Sequence, residues 1–160
     1  MSSHRVRLAL MLVILALVTA GFLYQEAMKR KPAPSPPSTA SDKPLAAGNT
    51  NAPIKVSAFY PLNEGHKFIG DYLLAFAKAH PDQVYVTVTD MQTPSGRKAW
   101  EGSGLTCAGV LVNGTTKHEL KRNGKTESVD LIKRMGVNWQ KEDFEALVKQ
   151  LLADKNKKAG

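Results

Sequence analysis

The spacing of apolar positions changes several times between Ile54 and Leu152, and each change marks an element. Ile54-Lys55-Val56-Ser57-Ala58-Phe59 is rich in β-branched and aromatic residues, which predicts a strand that Pro61 ends. Phe68, Ile69, Tyr72, Leu73, Phe76 and Ala77 then recur at spacings of three and four, one buried stripe of a helix. Asn63 is placed to cap that helix, which stops before Pro81 because a residue ahead of proline is pushed out of the helical region. Val84, Val86 and Val88 alternate with Tyr85, Thr87 and Thr89 as a second strand. Thr93-Pro94 opens a short helix that runs through Trp100 and closes at Gly102-Ser103-Gly104. Cys107 to Val112 reads as a third strand. Asn113-Gly114 turns it, so that Lys117 to Arg122 returns antiparallel, and Asn123-Gly124 turns the chain again. Val129 to Ile132 fits either a further strand or a helical turn. Phe144, Leu147, Val148, Leu151 and Leu152 give a last helix that closes the core.

The pattern ahead of this domain is different. Leu8 to Tyr24 is seventeen residues without a charge, bracketed by Arg5 and Arg7 and by Lys29-Arg30-Lys31. As a helix it would be about 26 Å long, near the lower limit for crossing a bilayer. Two readings stand: a retained single-pass anchor, favoured because the run continues through Phe22-Leu23-Tyr24, and a secretory signal cut after Val18-Thr19-Ala20. Both place the rest of the chain outside the cytoplasm, with membrane contact through residues 8–24 and an envelope or membrane protein as the expected partner. No Cys follows the run, so a lipoprotein attachment has no acceptor. Lys31 to Pro53 is rich in Pro, Ser, Ala and Asn and reads as an extended tether. The expected organisation is an anchor segment over residues 1–30, a linker over 31–53, a domain over 54–153 and a basic tail over 154–160.

A formal charge of +8 raises the question of nucleic acid, but the excess is badly placed for it. Residues 1–53 carry six Lys and Arg against two acids, and residues 154–160 three against one, whereas Ile54 to Ala153 holds thirteen against eleven. A surplus of two on the folded part argues against a nucleic-acid partner.

The order strand, helix, strand, helix, strand, strand, helix resembles the thioredoxin fold over about 100 residues of the chain. "VSAFYPLNEGHKFIGDYLL" looks like the first thioredoxin strand running into the active-site helix. "LTCAGVLVNG" looks like the segment that holds the family's cis-proline and leads to its Asn-Gly hairpin. The resemblance implies an α/β fold with a central mixed sheet flanked by helices, here preceded by one transmembrane helix. Active thioredoxins open that helix with Cys-x-x-Cys, since a helix N-terminus lowers a thiol pKa and two cysteines one turn apart can close a disulfide. Asn63 and His66 stand at the matching positions, and Thr106 or Cys107 at that of the cis-proline. With one cysteine in the chain, an intramolecular dithiol cycle is impossible.

The resemblance sets Cys107 across from the helix start, near Asn63 and His66, so Asn63, His66, Thr106 and Cys107 form the expected binding site. Three functions are open on this reading. A redox-inactive module binds a protein partner; a monothiol protein acts through Cys107 with a resolving thiol from elsewhere; or Cys107 and His66 ligate copper or zinc. Plainer roles stand beside these: Cys107 as a small buried apolar group, His66 as a solvated or capping residue. No resident cofactor is expected. His4, His80 and His118 lack ligand spacing, and Asp90, Glu101, Asp130 and the Glu142-Asp143-Glu145 group have no discernible partner. Ser95-Gly96-Arg97 is a first helical turn rather than a phosphate loop. Trp100 and Trp139 are expected at the core margin, with an exposed Trp139 as an interface residue in the alternative.

Overall fold

Strand β2 (Ile54–Tyr60) lies inside the larger sheet, paired on both sides by strands that differ in direction. The computed structural model describes residues 42–62 and 65–159. β3 (Val84–Asp90) runs parallel to β2, with Ile54 opposite Val84 and Tyr60 opposite Asp90. The parallel pair requires a crossover, which helix α1 (Lys67–Ala79) supplies. β4 (Gly109–Val112) lies antiparallel on the other side, Ala58 opposite Val110. A short strand β1 (Leu45–Ala47) completes the sheet on β3, in the order β1-β3-β2-β4. Helix α2 (Pro94–Gly102) follows β3, a hairpin of β5 (Lys117–Arg122) and β6 (Lys125–Asp130) follows β4, and α3 (Lys141–Ala159) ends the described chain. The domain is thus mixed α/β, with three helices and two sheets among the described residues.

Alternation decides which face is buried. Ile54, Val56, Ala58 and Tyr60 of β2, Val84, Val86 and Val88 of β3, and Val110 and Val112 of β4 all point into one core. Ile69, Leu73 and Ala77 of α1 and Phe144, Leu147 and Val148 of α3 meet them there. The two helices lie side by side: Phe144 packs edge-on against Tyr72 and Phe76, with ring centroids 6.1 and 5.2 Å apart. Trp139 is buried in this core, at 1% exposure, rather than at its margin or in an interface. α2 starts as expected, Thr93 Oγ1 accepting from the Gly96 amide at 3.1 Å. Gly96 also lets α2 pack directly on the end of β3, since a Cβ there would sit 1.9 Å from the Asp90 carbonyl oxygen.

The membrane-anchored reading requires correction. No helix among the described residues is long and apolar enough to cross a membrane, and the apolar run over residues 8–24 lies outside them. The preceding transmembrane helix, the single-pass anchor and the extracytoplasmic placement built on it therefore find no support in the structure.

Four local expectations also change. Leu45–Ala47, read as tether, is a strand; its register puts Ala47 opposite Val86, and Gly48 at φ +88 approaches the Val84 carbonyl too closely for any side chain. The single central sheet becomes two sheets. Asn113 (φ 50) and Gly114 (φ 88) do make the tight turn, but only Val112 and Thr115 pair across it. The chain then diverges into β5, which pairs with β6 instead, Lys117 opposite Asp130. The vacated edge of β4 is taken by the segment after β6: the Val110 amide donates to the Leu131 carbonyl at 2.9 Å, and Gly109 bridges Ile132. β4 starts at Gly109, so Cys107 lies in the bend before it rather than in the strand. Phe68, assigned to the buried stripe, is 41% exposed.

The hairpin is tied to α3 by side chains. Gln150 accepts from the Lys121 amide at 2.8 Å and donates to the Glu119 carbonyl at 2.9 Å. Arg122 reaches Asp143 Oδ1 and the Glu142 carbonyl, both at 2.7 Å.

Leu147→Ala, at a fully packed position, should cost about 2 to 5 kcal/mol in urea denaturation, and Lys78→Ala less than about 0.5 kcal/mol. Gly96→Ala reverses the usual helix rule. Alanine is ordinarily better than glycine in a helix by about 1 kcal/mol, but here it should destabilise, because the new methyl meets the Asp90 carbonyl.

Candidate functional site

The parallel strands β2 and β3 end side by side at Tyr60 and Asp90, and the chain leaves both ends as loops. Pro61, without an N–H, cannot continue the ladder. Asp90 then organises the turn: its buried carboxylate Oδ1 accepts from the Gln92 amide at 2.9 Å and from the Leu62 amide at 3.3 Å. The carboxylate that seemed to lack a partner thus holds two loops together.

Tyr60 is fully buried, and its hydroxyl donates to the Lys133 carbonyl at 2.6 Å. Lys133 has φ +65, a left-handed conformation that a lysine adopts only when its surroundings impose it. Two bonds impose it here: the one from Tyr60, and the Lys133 amide donating to the Ala108 carbonyl at 2.6 Å. On the other side of Tyr60 stands His66, its ring centroid 6.2 Å away with the planes 26° from parallel. His66 occupies the N-cap position of α1 but makes no capping bond with its side chain. Asn63, the expected cap, lies outside the described residues.

Cys107 is half-buried, one residue before Ala108, with its carbonyl accepting from Trp100 Nε1 at 3.3 Å. α2 therefore fixes the bend that carries the thiol. Burial pushes the Tyr60 phenol well above its ordinary range; the Trp139 indole acts the other way, although its N–H lacks a hydrogen-bond partner, and the electrostatic influence of Cys107 adds a smaller upward push. Thr106 is exposed beside Cys107.

The structure thus sets His66 against Tyr60, and ties the bend that carries Cys107 to Tyr60 through Lys133 and Ala108. It leaves the thiol neither fully buried nor freely exposed. Among the described residues no group of three or more His, Cys, Asp or Glu side chains is placed to hold a metal ion. Cys107 with His66 is a two-ligand set, short of the three protein ligands a catalytic zinc uses and the four of a structural one. His80 lies at the far end of α1 against Phe76, and His118 bonds the Thr115 carbonyl. No cis peptide bond occurs among the described residues, including the bend at Thr106 and Cys107.

The sequence reading missed Tyr60 and Lys133. For Tyr60 a signal existed: an aromatic residue with a polar tip at the strand end, immediately before proline. For Lys133 none did, because its conformation is set by partners distant in the chain.

No protein-family model, curated protein or solved structure matches this chain.

Tyr60→Phe should destabilise the domain by about 1 to 3 kcal/mol, by leaving the Lys133 carbonyl without its partner. Burial also raises the Tyr72 phenol, with its hydrogen bond to Glu145 and the charges of Glu145 and Glu142 adding to the effect. Both folded phenols hold their protons above the ordinary value of 10.0. Their contribution to stability is complete below that pH and is lost as pH rises beyond it. Denaturation midpoints should fall from pH 10 upward, less steeply in Tyr60→Phe; parallel curves for the two proteins would contradict this account.

Proposed function

We propose that residues 42–159 form a thioredoxin-like module that binds a protein partner and performs no dithiol chemistry. The observation that carries the reading is the placement of the chain's one thiol. Cys107 lies in the bend before β4, next to Ala108 whose carbonyl the Lys133 amide reaches, and the chain has no second cysteine with which to close a disulfide. The parallel β2-α1-β3 unit, followed by α2, the antiparallel β4, a hairpin and α3, supports the thioredoxin-like scaffold. In that scaffold the strand ends and the start of α1 form the working face, here occupied by His66, Thr106 and Cys107 over the buried Tyr60. The bond from the Tyr60 hydroxyl to the Lys133 carbonyl and those to the Asp90 carboxylate hold these segments in one arrangement, which lowers the ordering cost of binding.

The half-exposed thiol favours one second reading, monothiol exchange. A Cys107 thiolate would attack a partner's disulfide, forming a mixed disulfide and expelling the partner's other sulfur as a thiolate. The cycle would stop there until an external thiol released it.

Two measurements separate these. Reduction of insulin by dithiothreitol should run no faster with the full chain than without it; acceleration that disappears in Cys107→Ser would establish the monothiol reading instead. A photo-crosslinking residue in place of exposed Thr106 should give a discrete protein adduct in cells that make the chain, and the adduct should persist in Cys107→Ser. Absence of any adduct would overturn the binding reading.

A further inference from the structure

Where the start of α1 meets the loop between β6 and α3, apolar and cationic side chains are exposed together. Phe68, in the first turn of α1, is 41% exposed, and Val137 in the loop is 69% exposed. Single exposed apolar residues need no explanation, but Phe68 lines a groove of about 170 Å³ with Met135, Gly136, Gln140, Lys141 and Glu142, and Val137 is the chain neighbour of Gly136 in that lining. Gly136 has φ +85, and a Cβ there would meet no atom within 4 Å, so the groove is open above its backbone. The volume is below the roughly 300 to 1,000 Å³ of sites that enclose a small molecule. It accommodates one side chain of a larger partner.

Charge specifies the rest. The Arg134 guanidinium lies over the Phe68 ring at 5.9 Å and the Lys141 ammonium over the Tyr72 ring at 5.1 Å. Among the described residues, ion pairs form between Lys67 and Asp71 and between Arg122 and Asp143, and none takes up Lys133, Arg134 or Lys141. Two cations outside those ion pairs thus stand at a groove with an aromatic wall: Lys141 lines it, and Arg134 lies over the lining ring of Phe68. Glu142 is the one acid lining it, so carboxylates of a bound segment are attracted by Arg134 and Lys141 and repelled by Glu142.

We propose that this groove takes one aliphatic or aromatic side chain of an acidic peptide segment in a partner protein, with the flanking carboxylates on Arg134 and Lys141. The proposal rests on the reading of the domain as a protein-binding module and names the chemistry of what it binds. Arg134 follows Lys133, whose carbonyl Tyr60 holds, and Phe68 lies two residues after His66, so the groove adjoins the site above along the chain.

The test uses the full chain and a fluorescein-labelled peptide of Asp and Glu residues around one central Phe, read by fluorescence anisotropy. Replacing the central Phe by Ala should weaken binding at least about tenfold, as should Arg134→Glu or Phe68→Ala in the protein. Val137→Asp, at a position outside the core, should weaken it in the same direction without shifting the thermal midpoint. Glu142→Gln should tighten it. Binding that is absent, that is equal for the peptide without Phe, that is matched by a single-stranded oligonucleotide, or that survives Arg134→Glu would overturn the proposal. The crosslink at position 106 keeps the two readings apart. An adduct there without peptide binding removes the groove alone, and peptide binding without an adduct removes the partner at the strand ends alone.

Discussion

The hydrogen bond from the Tyr60 hydroxyl to the Lys133 carbonyl joins two parts of the chain seventy-three positions apart, and the site depends on it. Tyr60 is the last residue of the central strand and has no exposed surface, so its hydroxyl must find a partner inside. The partner is a carbonyl on a residue held at positive φ, and that residue's own amide reaches back to the bend before β4. One buried phenol therefore sets the mutual position of the strand end, the thiol-bearing bend and the cationic loop. A loop that is cross-braced in this way can present side chains at a fixed geometry although it contains no regular structure of its own.

This bracing explains how a domain without a dithiol can retain an organised face. A redox pair needs two sulfurs and a way to release the mixed disulfide; a binding face needs only side chains that stay where they are. His66 stands against the Tyr60 ring, and Thr106 and Cys107 lie in the bend that the Lys133 amide ties down through Ala108. Arg134 lies over the exposed Phe68 ring, one charged and one apolar.

Much of the scaffold was legible in the sequence because it rests on local rules. The alternation at Val84, Val86 and Val88, the Thr93-Pro94 start, and the spacing of Phe144, Leu147 and Val148 each correspond to an observed element. The illegible parts depended on contacts between distant segments. Leu45-Ala46-Ala47 has no alternating pattern and becomes a strand only because β3 offers an edge. Asn113-Gly114 fixes a turn but not the length of the hairpin, and the segment from Leu131 displaced the expected partner of β4. Phe68 fits a helical stripe by spacing, yet at the start of α1 the core takes its neighbour Ile69 and leaves Phe68 largely in solvent. The site divides the same way. Cys107 and His66 could be singled out from residue type alone, while the contacts of Tyr60, Lys133 and Arg134 come from the fold.

Gln150 has a consequence for assembly. Its side-chain amide offers one acceptor and one donor to Lys121 and Glu119, the pair of bonds that the backbone of a neighbouring strand would make. A helix thereby supplies one peptide unit's worth of strand, and β5 has no open ladder position at that point. An incoming chain finds those hydrogen bonds already satisfied, so this side of the hairpin does not template growth of a sheet. The opposite strand, β6, relies on composition instead, with Lys125 and Glu127 exposed along it. The small sheet is thus kept finite in two ways, by a side chain that imitates main chain on one edge and by charge on the other.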